Sequence, residues 1–486
     1  MVRKSPFLFS LFLSSVTLAQ QQENTDFVSG DFLREANSVP TSVDYLTIQT
    51  RNHEVANLPR QIHEVASDLS IQYSPELESL LDFQQIKRVE GDLRIVGNPK
   101  LYDLSGLDNL EFVGGNLIIR DNTGLTRLAG LDQVTIGGSV IIEGNPTLES
   151  LEHLNLSEEV KGHLRIVNNS SLTNLEGLRK VRHVHGDLLI AHNSNLSNFP
   201  SLSNLQTIVG DFRVAFNSNL REVGSMPNLI SVGGSWVLEN NDQLTQIGLM
   251  PELRTIGGEF LLRDLAQLTD AGQWPKMESI NGDFRIIRVA GMEEAPTLSS
   301  DWVIDGDLIL DDNDRLVNLN GLIGLKRISG ELVIKDNDRL STLIGLDNID
   351  PVSIERLELV DNPELDFCHV EAICGYLNLQ NPDTKVELNS LRCVSQNIII
   401  DLCSNETDTF ENNLFVFTNP SSDFIELRIP YEISSIAIHD LSGRIIWQTN
   451  HTNTTSMDIS GIPSGQYIIE VILQNRRHLS AEFTKL

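Results

Sequence analysis

Residues 89–107 read V-E-G-D-L-R-I-V-G-N-P-K-L-Y-D-L-S-G-L, and this sequence pattern recurs at a nearly constant spacing along most of the chain. Its marker is a glycine that recurs every 24 residues, with one interval of 23. The eleven copies are Gly91, Gly115, Gly138, Gly162, Gly186, Gly210, Gly234, Gly258, Gly282, Gly306 and Gly330. A fixed period of this length predicts a solenoid, in which each coil buries its apolar face only against its neighbours.

The positions around each glycine predict how one coil folds. A β-branched residue stands two places before the glycine, and large apolar residues stand two and four places after it, as in Val89, Leu93 and Ile95. This alternation is typical of a strand with every second residue facing inward. Further apolar residues at intervals of three predict a bent return. We therefore predict an all-β fold, a right-handed parallel β-solenoid with coils about 4.8 Å apart.

An asparagine stands seven places after most of the glycines, and we interpret its column as structural. The column comprises Asn98, Asn122, Asn145, Asn169, Asn193, Asn217, Asn241, Asn313 and Asn337. An asparagine amide bonds backbone groups at a corner and tolerates the left-handed conformation, so stacked copies predict a ladder. Two weaker copies of the repeat, with Val43 and Ser67 in the glycine position, precede the regular array.

Two coils, anchored at Gly258 and Gly282, depart from the pattern. The ladder asparagine and an inward leucine are replaced there, and bulky residues stand nearby. The replacements are Leu265, Val289, Ala271 and Ala295, and the bulky residues are Trp274, Met277, Met292 and Trp302. We favour an interpretation in which the bulky side chains fill the space that alanine leaves. A local bulge that forms a ligand pocket is the alternative.

The N-terminal segment, residues 1–19, has the pattern of an export signal peptide, with a basic start, an apolar run from Phe7 to Leu13 and a small-residue exit. This run is too short to cross a membrane, and no other stretch approaches 18 apolar residues, so we expect no transmembrane segment. Residues 20–40 are polar and unpatterned, which predicts a flexible lead-in. The formal net charge of −31 argues against nucleic acid as a partner.

All four cysteines lie at the end of the array, at Cys368, Cys374, Cys393 and Cys403. An even count confined to one end of an exported repeat protein predicts a cap held by disulfides. Of the three connectivities we favour Cys368–Cys393 with Cys374–Cys403. A zinc site is the alternative, although no C-x₂-C spacing occurs.

The array is predicted to close with a short coil at Leu377–Leu379 and a last strand at Ile398–Ile400, so that the solenoid covers residues 41–403. A polar linker follows at 404–412. Residues 413–486 then show period-2 strands with turns every 8–12 residues. This pattern of short strands and regular turns predicts a small Ig-like β-sandwich.

The tail resembles a type IX secretion C-terminal sorting domain. It carries Asn419-Pro420, then Gly443-Arg444 within Ser-Gly-Arg, then Gly465 within Gly-x-Tyr, in that order. Threonine before Asn419 departs from the more usual proline. The resemblance implies a Gram-negative bacterium and export by the type IX secretion machinery, usually with removal of this domain and attachment to surface lipopolysaccharide. The array resembles receptor L domains and leucine-rich repeats, which implies a binding scaffold.

The outward face of the predicted sheet supplies the candidate binding residues. Three places after the glycine stand arginines and aliphatics, and a polar column one place after the glycine flanks them. An apolar stripe rimmed by charge is typical of an interaction site. Ordinary β-propensity in stacked aliphatic rows is the alternative. The predicted ligand-binding residues are Arg94, Arg165, Arg213, Arg285, Leu189 and Val237.

Catalytic and metal-binding motifs are sparse, and we predict no enzyme activity, no metal and no cofactor. His163 and Asp187 are expected to be neighbours, but a metal site needs a third ligand. Asp312 and Asp336 lie one coil apart, and stacked carboxylates are ligands that calcium prefers. Arg315 and the equivalent Arg339 are expected to neutralise them instead.

The function predicted from these features is recognition or adhesion by a chain that is exported to the outer-membrane surface or the extracellular space. Its ligand is predicted to be a protein or a glycan, bound through the solenoid face. A β-helix carbohydrate-active enzyme and a passive surface spacer are the alternatives. An enzyme would need a tight cluster of acidic or basic side chains in a groove.

Overall fold

The computed structural model describes residues 27–29, 42–51, 62–404, 415–417, 424–428, 433–440, 444–450, 456–473 and 478–485. The predicted signal peptide lies outside these residues, as does nearly all of the predicted linker. The repeat array is a parallel β-solenoid of about 14 coils, and the tail consists of antiparallel sheets. This architecture confirms the predicted fold class.

The main sheet takes one strand from each coil, and its strands follow one another in chain order. They are Phe27–Ser29, Leu46–Gln49, Leu69–Gln72, Leu93–Val96, Leu117–Arg120, Val140–Glu143, Leu164–Val167, Leu188–Ala191, Phe212–Ala215, Trp236–Glu239, Phe260–Arg263, Phe284–Ile287, Leu308–Asp311, Glu331–Lys335, Arg356–Val360 and Thr384–Glu387. Equivalent residues of successive coils are direct partners, as are Leu164 and Leu188. The 24-residue period therefore places each column of the repeat in one row along the solenoid.

Short strands before the anchor glycines form a second face. One sheet contains Ser42–Val43, Glu64–Val65, Arg88–Val89, Phe112–Val113 and Thr135–Ile136, and another contains Glu159–Val160, His183–Val184, Thr207–Ile208, Ser231–Val232, Thr255–Ile256, Ser279–Ile280, Trp302–Ile304 and Leu325–Arg327. The glycine lies at the corner between the two faces, where coils approach closely. A Cβ atom at Gly282 would lie 2.7 Å from the carbonyl carbon of Gly258, so only glycine fits there.

The return segments are irregular, with short strand pairs and 3₁₀ turns. The pairs are Glu222–Val223 with Gln246–Ile247 and Gln273–Trp274 with Thr297–Leu298, and the turns are Leu81–Phe83, Glu176–Leu178, Asn320–Leu322 and Pro351–Ser353. Their inward side chains join those of the strands in one continuous core. In the two irregular coils Trp274, Met277 and Met292 are fully buried, and the Phe260 and Trp274 ring centroids lie 4.7 Å apart. The space-filling interpretation of these coils is confirmed.

The asparagine column forms the predicted ladder. The fully buried Asn193 side chain accepts the backbone N–H of Asn169 at 3.0 Å and donates to the Ile166 carbonyl at 2.9 Å. The ladder is interrupted at Leu265 and Val289, whose side chains cannot make these bonds. Each amide thus satisfies buried backbone groups of the preceding coil, which is a structural role.

The first strand of the main sheet, Phe27–Ser29, lies within the predicted lead-in. It pairs antiparallel with Leu46–Gln49, the first parallel strand. An added strand covers the backbone groups that an end coil would otherwise expose. The unpatterned lead-in predicted for residues 20–40 is therefore wrong for these three residues.

Two helices close the array where a coil and a strand were predicted. Helix α1 is Glu371–Leu377 and helix α2 is Gln396–Ser404. The predicted coil at Leu377–Leu379 and the strand at Ile398–Ile400 were therefore wrong. In α2 only Ile399 of the isoleucine run is fully buried, and its neighbours are half-buried. One buried residue between half-buried neighbours is the pattern of a helix with one side packed on the core. Three adjacent β-branched residues would by propensity favour a strand.

The disulfides have the favoured connectivity, Cys368–Cys393 and Cys374–Cys403. The second bond joins α1 to α2. It closes a loop of 29 residues in sequence at the end of the core, where each coil has a neighbour on one side only. The predicted disulfide-held cap is confirmed.

Replacing Cys374 and Cys403 together by serine is expected to destabilise the cap by about 3 kcal/mol, because the unfolded cap regains the freedom that the cross-link removed. Hydrogen exchange of α2 amides measures this local stability. Amides of the coil anchored at Gly186, far along the array, serve as the internal reference. Unchanged exchange in α2 would mean that packing alone holds the cap.

The tail contains two antiparallel sheets with a shared core. One contains Phe415–Phe417, Phe424–Arg428 and Ser456–Asp458, and the other contains Ile433–Asp440, Ile445–Asn450, Gly465–Leu473 and His478–Lys485. Side chains of both sheets, including Ile425 and Val471, form one buried cluster, as a sandwich requires. The strand at Ser456–Asp458 was not predicted.

Candidate binding groove

A groove lies on the outward face of the main sheet, across five consecutive coils. Its volume is about 660 Å³. It is lined by Arg120, Asp121, Glu143, Gly144, Arg165, Val167, Asn168, Leu189, Ala191, His192, Arg213, Ala215 and Phe216. Because equivalent residues of successive coils are partners, the groove runs along the solenoid axis.

The groove exists because side-chain size changes along one outward column, five places after the glycine. Long charged side chains occupy this column on both sides of the groove, at Arg120, Glu143, Glu239 and Arg263. Between them stand Val167, Ala191 and Ala215, which form a small apolar cluster. The short side chains form the floor of the groove, and the long ones limit its ends.

One wall is built from two rings in an unusual backbone conformation. The His192 and Phe216 rings stack with centroids 4.6 Å apart and planes 3° from parallel. Both residues have φ of 57°, in the left-handed region that bulky side chains avoid at a cost of about 1–2 kcal/mol. The left-handed position is therefore the residue before each ladder asparagine, and none of the ladder asparagines itself has a positive φ. The same position has a positive φ in the other coils, Tyr73 and Arg288 included, so this conformation belongs to the repeat and does not by itself mark the groove.

One end of the groove carries one cation, Arg120, and two carboxylates, Asp121 and Glu143. Arg120 pairs with Glu143 at 2.8 Å. Burial raises the pKa of the neighbouring Asp121, the Arg120 charge opposes this rise, and the Glu143 charge adds to it. At this end of the groove Glu143 therefore has a cationic partner, whereas Asp121 has no ion pair among the described residues.

Two of the predicted ligand-binding arginines lie outside the groove and are held by carboxylates. Arg94 contacts Asp68 and Asp92, each at 2.5 Å. Arg285 is paired in the same way, with Asp283 at 2.5 Å and Glu259 at 3.5 Å. In both cases one carboxylate stands one place after the glycine position of the arginine's own coil. The other stands at the same place in the preceding coil.

The other two arginines line the groove and differ from each other. Arg213 pairs with Glu239, a carboxylate that is 1% exposed and also binds Arg263. Among the residues that the structure describes, Arg165 has no ion pair. The three positions that supply carboxylates around the other arginines hold His163, Ser139 and Ala191 around Arg165.

The remaining predicted ligand-binding residues divide in the same way. Leu189 is half-buried and lines the groove beside Arg165. Val237 is 5% exposed and lies outside the groove. The structure thus brings Arg165, Leu189 and Arg213 together, and it leaves Arg94, Arg285 and Val237 elsewhere on the face.

Sequence reasoning missed the floor and the ring wall of the groove. The missed residues are Val167, Ala191, Ala215, His192 and Phe216. The signal was available in the column five places after the glycine, where three consecutive small residues stand between long charged ones. Two aromatic rings in a column otherwise rich in Asp, Asn and Gly were a second signal.

The polar column one place after the glycine is a second hydrogen-bond ladder between coils. The backbone N–H of Asp211 donates to Asp187 at 2.9 Å, and that of Ser235 donates to Asp211 at 2.7 Å. His163 continues the ladder, since its Nδ1 accepts the N–H of Asp187 at 3.0 Å. The expected proximity of His163 and Asp187 is confirmed, and their contact is part of coil stacking.

The acidic corner at Asp312 and Asp336 is less neutralised than expected. Burial raises the pKa of both carboxyl groups, and nearby carboxylates, Asp311 among them, raise it further, while the charges of Arg288 at Asp312 and of Lys335 at Asp336 oppose the rise. Arg315, expected to neutralise this corner, pairs instead with Glu293. Over the described part of the chain, no three His, Cys, Asp or Glu side chains are grouped so that they could hold a metal ion.

Two family models match the chain. Residues 60–158 and 156–219 match the Receptor L domain, and residues 415–481 match the Secretion system C-terminal sorting domain. Residues 60–219 are thus similar to receptor L domains, and residues 415–481 are similar to secretion sorting domains. All of the groove lies within the receptor L match. No curated protein sequence matches the chain.

The sorting domain assigns the route and destination of the protein. Proteins with this domain leave through the type IX secretion machinery and reach the cell surface or the extracellular space. Of its motif residues, Asn419, Pro420 and Gly443 lie outside the described residues. Arg444 bonds Asp440 at 3.1 Å, and Gly465 begins a strand of the larger sheet. No helix in the described residues is long and apolar enough to cross a membrane.

Proposed function

We propose that this exported chain is a non-catalytic recognition protein that binds a protein or glycan ligand in the groove. The observation that carries the proposal is Arg165, a cation that has no ion pair among the described residues and lies beside a small apolar floor in a concave site. Its volume of about 660 Å³ falls within the roughly 300–1,000 Å³ of ligand-binding clefts. Receptor L repeats, as a scaffold for binding, support the same role.

The groove is suited to binding because its parts are fixed before a ligand arrives. Val167, Ala191 and Ala215 belong to strands that are hydrogen-bonded on both sides. Little ordering entropy is then lost on association. The floor supplies apolar contact, and Arg165 supplies directed hydrogen bonds to an acceptor.

A carbohydrate-active enzyme is the weaker proposal for this groove. Among the described residues, the carboxylates in its lining are Asp121 and Glu143, and Glu143 is engaged by Arg120. Acid catalysis requires one carboxyl group poised to donate a proton and another free to act as base or nucleophile. The pairing of Glu143 with Arg120 does not favour this arrangement.

Replacing Ala191 by glutamine is expected to weaken ligand binding at least tenfold, because the longer side chain fills the floor of the groove. Coil stability should be kept, since the same column holds Glu143 and Glu239 in other coils. Ile287→Gln, in this column but outside the groove, is the matched control. Binding of the full chain to glycan and protein arrays measures the effect, with melting temperature recorded for both variants.

Equal binding by the Ala191 and Ile287 variants would place the site elsewhere on the chain. Absence of any ligand for the unaltered chain would favour a passive spacer. Release of cleaved fragments from arrayed glycans would favour an enzyme.

A further inference from the structure

We infer that the ligand of the groove is an acidic glycan, with a sugar carboxylate bound by Arg165. This inference rests on the proposed binding role of the groove and names the class of ligand. It follows from the charge, the hydrogen-bonding groups and the shape of the site.

The charge of the site favours a carboxylate. Arg120 and Arg213, the other cations of the groove, are paired with Glu143 and Glu239, whereas Arg165 has no ion pair among the described residues. A guanidinium group presents a planar fork that matches the two oxygens of a carboxylate. Arg165 is half-buried, so a ligand carboxylate would bind there with part of the surrounding water excluded.

The hydrogen-bonding groups favour a sugar. The side chains of Asn168 and His192 line the groove, are exposed and make no hydrogen bond within the described residues. Asp121 adds a carboxylate acceptor nearby. Amide, imidazole and carboxylate groups together donate to and accept from hydroxyls, which are donors and acceptors at once.

The shape of the site favours a chain of sugar rings over a folded protein surface. The groove extends over five coils along the axis, and its floor of Val167, Ala191 and Ala215 offers apolar contact to the C–H face of a ring. A protein partner would instead need about 800 Å² of buried surface on each side. The edge of the stacked His192 and Phe216 rings extends the apolar contact.

The net charge of the protein removes a common source of false binding. At −31, the chain repels polyanions over the roughly 8–10 Å at which charges act through physiological salt. Non-specific attraction cannot then account for binding to an acidic glycan. Binding must come from a local contact, and it should require Arg165.

The test is calorimetric titration of the full chain with tetrasaccharides of galacturonate, mannuronate and hyaluronan, each beside its methyl-esterified form. Esterification removes the charge and keeps the sugar rings. We expect at least one acidic form to bind, and its ester to bind at least tenfold more weakly. Arg165→Gln should cause a similar loss. When the Arg165→Gln variant is titrated with the ester, the total loss of affinity, relative to the unaltered chain with the acid, should not exceed the loss from either change alone. Both changes remove the same contact.

Arg221→Gln is the matched control. Arg221 likewise has no ion pair among the described residues, but it is exposed where Arg165 is half-buried, and it lies in a separate polar groove with Asn195, Asn219 and Gln243. Its substitution changes the net charge equally and should leave binding unchanged. Arg165→Lys keeps the charge without the planar fork and should bind with intermediate affinity.

Esters that bind as well as the acids would overturn the inference, as would equal losses from Arg165→Gln and Arg221→Gln. Absence of binding by every acidic tetrasaccharide would also overturn it. If a protein or neutral glycan then binds, and Ala191→Gln abolishes that binding, the proposed recognition role stands without this ligand class. If Ala191→Gln changes the binding of no ligand, the proposed role of the groove fails as well.

Discussion

Replacing Ile190 by aspartate is expected to unfold the coils around Gly186, whereas Leu189→Asp, one residue earlier, should leave them folded. Ile190 is fully buried in the core, and Leu189 is half-buried on the outward face. The Ile190 substitution loses about 2–3 kcal/mol of apolar burial. It also places a carboxylate without a partner in the core, at a cost of at least several kcal/mol more. This total is comparable with the whole stability of a typical domain.

Because each coil packs only on its neighbours, the loss should be local at first and spread along the array. Hydrogen exchange resolved by peptide is the measurement. We expect rapid exchange in the strands Leu164–Val167, Leu188–Ala191 and Phe212–Ala215 of the Ile190 variant, with slow exchange retained in the Leu189 variant. Equal exchange in the two variants would contradict the inward and outward assignment of alternate residues.

Deleting residues 413–486 is expected to abolish surface display while the solenoid stays folded. The deleted segment contains the match to the sorting domain at 415–481. Its buried residues form a cluster of their own, separate from the core of the array. A domain with its own core can be removed without opening another. The truncated chain should therefore accumulate in the periplasm with an unaltered melting transition.

Cell fractionation combined with surface proteolysis measures this result. The reciprocal experiment fuses residues 413–486 to a periplasmic reporter, which should then reach the cell surface. Undiminished surface display of the truncated chain would contradict the assignment of the tail. Retention of the fused reporter would show that the tail is insufficient for export.

The fold was predictable from the sequence where every coil repeats the same physical requirement. Gly282 must be glycine because the preceding coil leaves no space for a Cβ atom, and the Asn193 side chain must accept from and donate to backbone groups of the preceding coil. These constraints recur every 24 residues, so they appear as columns. The cap has no such repetition. At Ile398–Ile400 only local propensity was available, and packing against the last coils, with the Cys374–Cys403 bond, imposes a helix.

The candidate site was predictable only in part, because its members depend on neighbouring coils. Arg94 and Arg165 occupy the same column and look equivalent in sequence. What distinguishes them is the pair of positions next to them, which hold Asp68 and Asp92 in one case and Ser139 and His163 in the other. A single column does not contain this information. Pairwise contacts between columns do, once the register is known.

We propose that the chain binds its ligand in the groove of the Gly115 to Gly210 coils. A crystal structure of the full chain with the tightest ligand from the arrays tests it most directly. We predict a ligand on the floor formed by Ala191 and Ala215, with an acidic group at Arg165 and a ring against His192. A ligand bound instead in the polar groove around Arg221, or at the acidic corner near Asp312, would contradict the claim.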